Sequence, residues 1–215
     1  FWAKLAVGNA TLKKTSSNTS ITDGNGLYSI AGATYGVYSD KGCTKSVATL
    51  TTNASGNTDT VELRAATYYV KETKVPKGFQ LDKNVYTMTV KVNETTTLKV
   101  SDKPKVTDTL VELFKIDMEI SKATPQGNAS LEGAEFVWKY YDGYYTKDNL
   151  PSEPTRTWTT KTIAEKDSNN EVHYITRLAD SYKVLGDSFY TQNNTVCLPL
   201  GTITVEEKAA PNGYM

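Results

Sequence analysis

The chain has 215 residues, with 24 Lys and Arg against 24 Asp and Glu, and 38% of it is hydrophobic, including 14 Tyr. Zero formal charge with Lys and Glu interspersed excludes the basic footprint that nucleic acid requires and leaves no cationic face for anionic lipid. No run approaches the apolar length of a membrane span and no charged-then-apolar signal segment is present, so export and anchoring signals are expected outside these residues.

Taken in order, residues 9–16 read as a first strand, and the Ser/Thr/Asn/Gly-rich stretch 17–26 as a loop. Asp23-Gly24-Asn25-Gly26 has some of the composition of a calcium loop but lacks the spaced ligands and closing Glu, so no metal site is expected there. Residues 33–39, 46–51 and 58–63 read as short strands separated by Asp40-Lys41-Gly42 and Asn53-Ala54-Ser55-Gly56-Asn57, both turn-forming. In Tyr68-Tyr69-Val70-Lys71-Glu72 alternation puts Tyr68, Val70 and Glu72 on one face, so a carboxylate ends an apolar surface. Residues 85–92 and 95–101 form a hairpin around Asn93-Glu94, and Pro104 removes a donor where the ladder ends. Seven β segments in about a hundred residues, without a convincing helix, predict a sandwich.

The second half keeps the same stations around a longer middle, 142–195, which contains Pro151, Pro154, a strand-like 155–163, the turn Asp167-Ser168-Asn169-Asn170 and a strand at 171–176. The single histidine, His173, lies in that last strand with no Ser, Cys or Asp pattern of a catalytic triad. Trp138, Tyr140, Tyr141, Tyr144 and Tyr145 cluster just before the insertion. They either fill the core by alternation or form a patch that stacks on a sugar or a partner peptide. Cys43 and Cys197 fall in different halves, too few for a disulfide framework and without the neighbours of a zinc site.

The two halves repeat. Leu12-Lys13-Lys14-Thr15-Ser16 matches Leu113-Phe114-Lys115-Ile116-Asp117, and Ala31-Gly32-Ala33-Thr34-Tyr35 matches Glu132-Gly133-Ala134-Glu135-Phe136. Glu72-Thr73-Lys74-Val75-Pro76-Lys77-Gly78-Phe79 then matches Glu207-Lys208-Ala209-Ala210-Pro211-Asn212-Gly213-Tyr214. The expected fold is therefore all-β: two tandem immunoglobulin-like sandwiches, 1–105 and 106–215. The second is expected to lack its last strand, because its glutamate box runs to Met215.

These motifs, together with Leu98-Lys99-Val100-Ser101-Asp102-Lys103-Pro104, resemble the B-type (CnaB or SpaA-like) repeats of Gram-positive collagen adhesins and pilins, small prealbumin-like sandwiches. The resemblance implies an amide between Lys14 as nucleophile and Asp102 as electrophile, with Glu72 as proton shuttle. For the second copy it offers Lys115 and Glu207 without an electrophile. No cofactor, no metal and no multiple-turnover enzyme activity is implied.

Physical chemistry supports the transfer independently of the name. An exposed Lys and Asp make a salt bridge; burial disfavours charge, and folding supplies the effective molarity of an intramolecular reaction. The competing readings are a buried ion pair, or Lys13 facing inward instead of Lys14. The implied role is a stalk module of a cell-wall-anchored extracellular adhesin or pilus, whose partners are adjacent domains of the same chain. The alternative is an adhesin module that binds a host matrix protein or glycan through the second copy's insertion.

Overall fold

A computed structural model describes residues 4–109, 112–118, 122 and 124–215. The chain divides into two compact units, Phe1–Lys105 and Val106–Met215.

The first unit contains β1 (Val7–Ser16), the one-turn helix α1 (Thr19–Thr22), β2 (Thr34–Tyr38), β3 (Ser46–Thr51), β4 (Val61–Arg64), β5 (Ala66–Lys74), β6 (Val85–Val90) and β7 (Thr95–Asp102). They form two sheets, ordered β4-β1-β7 and β3-β2-β5-β6. Period-two alternation is why the sheets face each other: Ala10 and Leu12 of β1 and Val100 of β7 meet Tyr35, Val37, Tyr68, Val70, Met88 and Val90 in one buried cluster. The first and last strands run parallel and side by side, with Lys14 opposite Val100 and Ser16 opposite Asp102. Parallel neighbours need a long crossover, and here most of the unit serves as that connection.

Local differences from the sequence reading have local causes. The loop after β1 winds into α1 because Ile21, only 2% exposed, anchors it to the sandwich while Asn18 O accepts from the amides of Ile21 and Thr22. The fourth strand starts at Val61 rather than 58, since Thr58 is engaged on β1: its hydroxyl accepts from Leu12 N at 2.9 Å. The β6–β7 turn places Asn93 at φ +60°, a left-handed conformation that Asn tolerates.

The second unit contains β8 (Val106–Asp108), β9 (Leu113–Lys115), β10 (Glu135–Tyr141), β11 (Arg156–Lys161), β12 (Ile163–Lys166), β13 (Val172–Thr176), β14 (Lys183–Gly186), β15 (Tyr190–Gln192), β16 (Thr195–Pro199) and β17 (Thr202–Ala209). Its sheets are β14-β11-β10-β17, β12-β13-β9 and β15-β16-β8. The long middle is thus no appendage, because it supplies β11 to β15. Trp138, Tyr140, Tyr141, Trp158, Tyr182 and Tyr190 are buried, and Tyr144, 68% exposed, stands outside. The aromatics therefore fill the core rather than forming a surface patch.

The two units repeat in detail. Ala33 N donates to Thr52 Oγ1, which donates to Ile30 O; Ala134 N donates to Thr162 Oγ1, which donates to Leu131 O. Each of these threonines is buried and closes the turn that carries Gly32 or Gly133 at positive φ. Just after that turn each unit has a β-bulge, and then an aromatic paired in register with the box glutamate: Tyr35 with Glu72, Phe136 with Glu207.

Candidate functional site: a buried lysine between two sheets

In the first unit, Lys14 points inward from β1, and its side chain, like those of Glu72 and Asp102, is 0% exposed. Leu12 lies on the same face, whereas Lys13 turns outward and donates to Ser55 O. Lys14 Nζ donates to Tyr35 Oη at 2.6 Å and to Glu72 Oε1 at 3.0 Å. It also contacts Asp102 Oδ2. The site straddles the core: β1 and β7 bring Lys14 and Asp102 from one sheet, while β2 and β5 bring Tyr35 and Glu72 from the other.

Three charged side chains without solvent are costly unless they are paired. Glu72 is well provided for, because its Oε2 accepts from Asp82 N at 2.8 Å. Asp82 is itself held by the Tyr86 hydroxyl. Asp102 is not: although Lys14 touches it, neither carboxylate oxygen takes part in a hydrogen bond. Burial, only partly countered by Lys14 and reinforced by Glu72, pushes the Asp102 carboxyl up to about 6. Burial together with Asp102 and Glu72 also raises the Tyr35 phenol, so it stays protonated. The arrangement is a lysine held by two acceptors and pressed against a carboxyl group with an elevated affinity for its proton.

The second unit brings Lys115 and Glu207 together more openly. Lys115 Nζ donates to Glu207 Oε1 at 2.7 Å and to Oε2 at 2.8 Å, with side chains 22% and 34% exposed. Nearby Asp117 is buried, receiving hydrogen bonds from Gln126 Nε2 and from the Tyr214 hydroxyl at 2.7 Å. That hydroxyl comes from the aromatic of the second glutamate box. In the first unit the corresponding aromatic is Phe79 and the corresponding first-strand residue is Ser16, so this brace belongs to the second copy alone.

Elsewhere, His173 Nε2 lies 3.1 Å from Asp167 Oδ2 at the end of the β12–β13 hairpin. Cys43 and Cys197 are both free, and burial pushes the Cys197 thiol up to about 11. Asn25 Oδ1 caps its own loop by accepting from Leu27 N at 2.9 Å, which gives the Asp23-to-Gly26 stretch a structural role. No helix among the described residues is long and apolar enough to cross a membrane.

Sequence reasoning missed Tyr35, Thr52 and Thr162. Tyr35 and Phe136 did appear at matched stations, and that difference was the available signal.

No curated protein sequence matches the chain. Among solved structures, the Bacillus anthracis TIE protein is similar at 22% identity over 98% of this chain and 29% of its own, with a TM-score of 0.55. The chain thus spans less than a third of that protein's length, and the likeness is one of fold. A C-terminal fragment of the pilus adhesin SpaC from Lactobacillus rhamnosus GG is also similar (17% identity, 97% of this chain, 77% of that one, TM-score 0.46). So is GBS52, the minor pilin of Streptococcus agalactiae (19% identity, 50% and 48% covered, TM-score 0.37). The family model that matches is the SpaA prealbumin-like fold domain, over residues 8–104. Lys14, Glu72 and Asp102 all lie within that match, so the site falls in the part of the chain that is similar to the SpaA prealbumin-like fold domain.

Proposed function

We propose that the chain is a stalk segment of a Gram-positive cell-surface adhesin or pilus, in which the first unit locks itself with an autocatalytic amide between Lys14 and Asp102. The observation that carries this reading is the fully buried Lys14, donating to Glu72 and Tyr35 while touching an Asp102 that has no hydrogen bond. A purely structural ion pair in such a dry site would satisfy the carboxylate.

In the reaction the bond Nζ–Cγ forms and one Cγ–O bond breaks. Nζ gives up two hydrogens and Asp102 one oxygen, which leave together as water. Glu72 carries a proton between them and ends as it began. Folding holds the reactants in contact, so the event happens once per chain.

The amide joins the first strand to the last and closes a loop of about ninety residues, which by chain entropy is worth roughly 4 to 5 kcal/mol. Load entering one end of the unit and leaving at the other would then run through a covalent bridge instead of shearing the β1–β7 ladder. Reducing conditions would not open it. Partners on this reading are neighbouring domains of the same parent protein, outside the cell.

The second unit is a sandwich of the same type with an open edge. We assign Lys115 and Glu207 as its nucleophile and shuttle, awaiting a strand that brings the electrophile. The glycan- or protein-binding alternative loses its main support, since Trp138, Tyr140 and Tyr141 are interior.

The test is intact mass under denaturing conditions. The protein should weigh one water less than its sequence, and digestion should yield a branched peptide joining Lys14 to Asp102. Full sequence mass with separate Lys14 and Asp102 peptides would overturn the cross-link.

A further inference from the structure

We infer that Tyr35 is a catalytic residue of the first unit's cross-linking reaction, its hydroxyl fixing the direction in which the Lys14 amine presents its lone pair. The inference rests on the amide reading above and adds a residue that the motif set does not contain.

To attack Asp102, Nζ must present a lone pair, and an amine with a lone pair has two N–H groups left. The site provides two acceptors for them, Glu72 Oε1 at 3.0 Å and Tyr35 Oη at 2.6 Å. The third tetrahedral direction of Nζ is therefore the one left for Asp102. The structure agrees, because Nζ contacts the Asp102 carboxyl group and yet makes no hydrogen bond to it. Without the Tyr35 hydroxyl, one N–H would have to find Asp102 as its acceptor, which turns the lone pair away from Cγ and leaves a salt bridge.

Tyr35 is well placed to be rigid. It is 0% exposed, sits on β2 directly opposite Glu72 on β5, and follows a β-bulge that re-aims its side chain. A hydroxyl with its own proton can accept from Nζ while donating onward, and burial with Asp102 and Glu72 nearby keeps that proton in place. One of the three ammonium protons passes to an Asp102 oxygen before attack; as Nζ–Cγ forms and Cγ–O breaks, a second leaves along the hydrogen bonds to Glu72 and Tyr35 and reaches that departing oxygen as water forms, while the third stays on Nζ as the amide N–H. Tyr35 and Glu72 are regenerated.

The second unit provides an internal contrast. Phe136 occupies the register position of Tyr35, and there Lys115 spends its hydrogen bonds on both oxygens of Glu207. A phenylalanine at this station is compatible with the fold, so Tyr35→Phe is a fair probe.

The experiment uses the full chain, refolded from denatured, unreacted protein made by cell-free synthesis, with the loss of one water followed by intact mass against time. Wild type should react fully, and Tyr35→Phe should fold but react about tenfold or more slowly, as expected for removing one positioned proton-transfer group. The same substitution beside Lys14→Ala, which cannot react, should leave thermal unfolding within a few degrees of Lys14→Ala alone. Wild-type speed in Tyr35→Phe would overturn the inference while leaving the amide intact. No water loss in wild type would instead overturn the amide reading. If Tyr35→Phe does not fold, site-specific 3,5-difluorotyrosine at position 35 keeps the shape and weakens the acceptor. Slower reaction then supports the role of Tyr35, and an unchanged rate removes it.

Discussion

At the scale of single residues, the unreacted site has an unusual acid–base signature. Asp102 binds its proton more tightly in the folded state, up to about 6, because burial penalises its charge. The unfolded chain releases that proton near the ordinary aspartate value of about 4. Between those limits the folded state holds more protons than the unfolded one, so stability falls as pH rises through the window and is fully present below it. Glu72→Gln should leave the unit folded, abolish the water loss, and lower the melting point by roughly 20 °C or more, as loss of the loop constraint implies. In that variant burial still raises Asp102 although the Glu72 charge no longer contributes, so denaturant midpoints should show stability rising on acidification from pH 6 to 4, opposite to the usual behaviour of carboxylates. On the proposed cross-link, which removes the Asp102 carboxyl group, wild type should lack this slope. A variant that weakens on acidification would show that Asp102 is an ordinary salt-bridge partner.

At the scale of elements, the site depends on how β1 is held from outside as well as from within. The loop between β3 and β4 presses on the backbone of β1 at Lys14: Gly56 O accepts from Lys14 N at 2.7 Å, and Gly56 has φ +77°. A Cβ on Gly56 would lie 2.2 Å from Lys14 O. Gly56→Ala should therefore cost on the order of 2 to 4 kcal/mol through strain and displacement of the strand. Urea unfolding in the Glu72→Gln background would read that cost without the amide masking it, and a change below about 0.5 kcal/mol would show that the loop yields freely. This dependence explains what was legible in the sequence. Alternation on one strand is local, so Leu12-x-Lys14 and Tyr68-x-Val70-x-Glu72 disclosed their inward faces. Tyr35 reaches the lysine only through the β2–β5 register and the bulge beside it, and neither is written in neighbouring residues. Thr52 and Thr162 escaped for a related reason: they follow Ala33 and Ala134 at different separations, so repeat alignment does not superpose them. The middle of the second unit looked like an insertion because its length obscured five strands of the sandwich itself.

At the scale of the whole molecule, the two units differ in which of their edges are covered. In the first, β1 lies between β4 and β7, and β5 between β2 and β6; the expected hairpin of 85–92 with 95–101 does not form, because β6 joins β5 and β7 joins β1 in the facing sheet, so each of the two strands closes one sheet. In the second, among the described residues, β9 pairs with β13 alone and β17 with β10 alone. Beside them Phe114, Ile116, Ile203 and Val205 are 57%, 49%, 38% and 42% exposed, around a groove of about 510 Å³ that Leu113, Lys115, Phe136 and Glu207 help to line. Unpaired strands flanking an apolar groove are stabilised by strand addition. Strands β6 and β7 of the first unit show the chemistry of a suitable occupant: two alternating strands, one added to each sheet, the second ending in an inward carboxylate. Amides of β9 and β17 should accordingly exchange with deuterium faster than those of β1 and β5, and limited proteolysis should cut the second unit first. A synthetic peptide of residues 85–104, added to the full chain, should slow exchange in β9 and β17. Where its aspartate reaches Lys115, it should also form an adduct one water lighter than the sum of the two, and Lys115→Ala should abolish that adduct. Protection without an adduct would mean that the edge accepts strands while Lys115 is only structural; neither protection nor adduct would show that the second unit is complete with the strands it has.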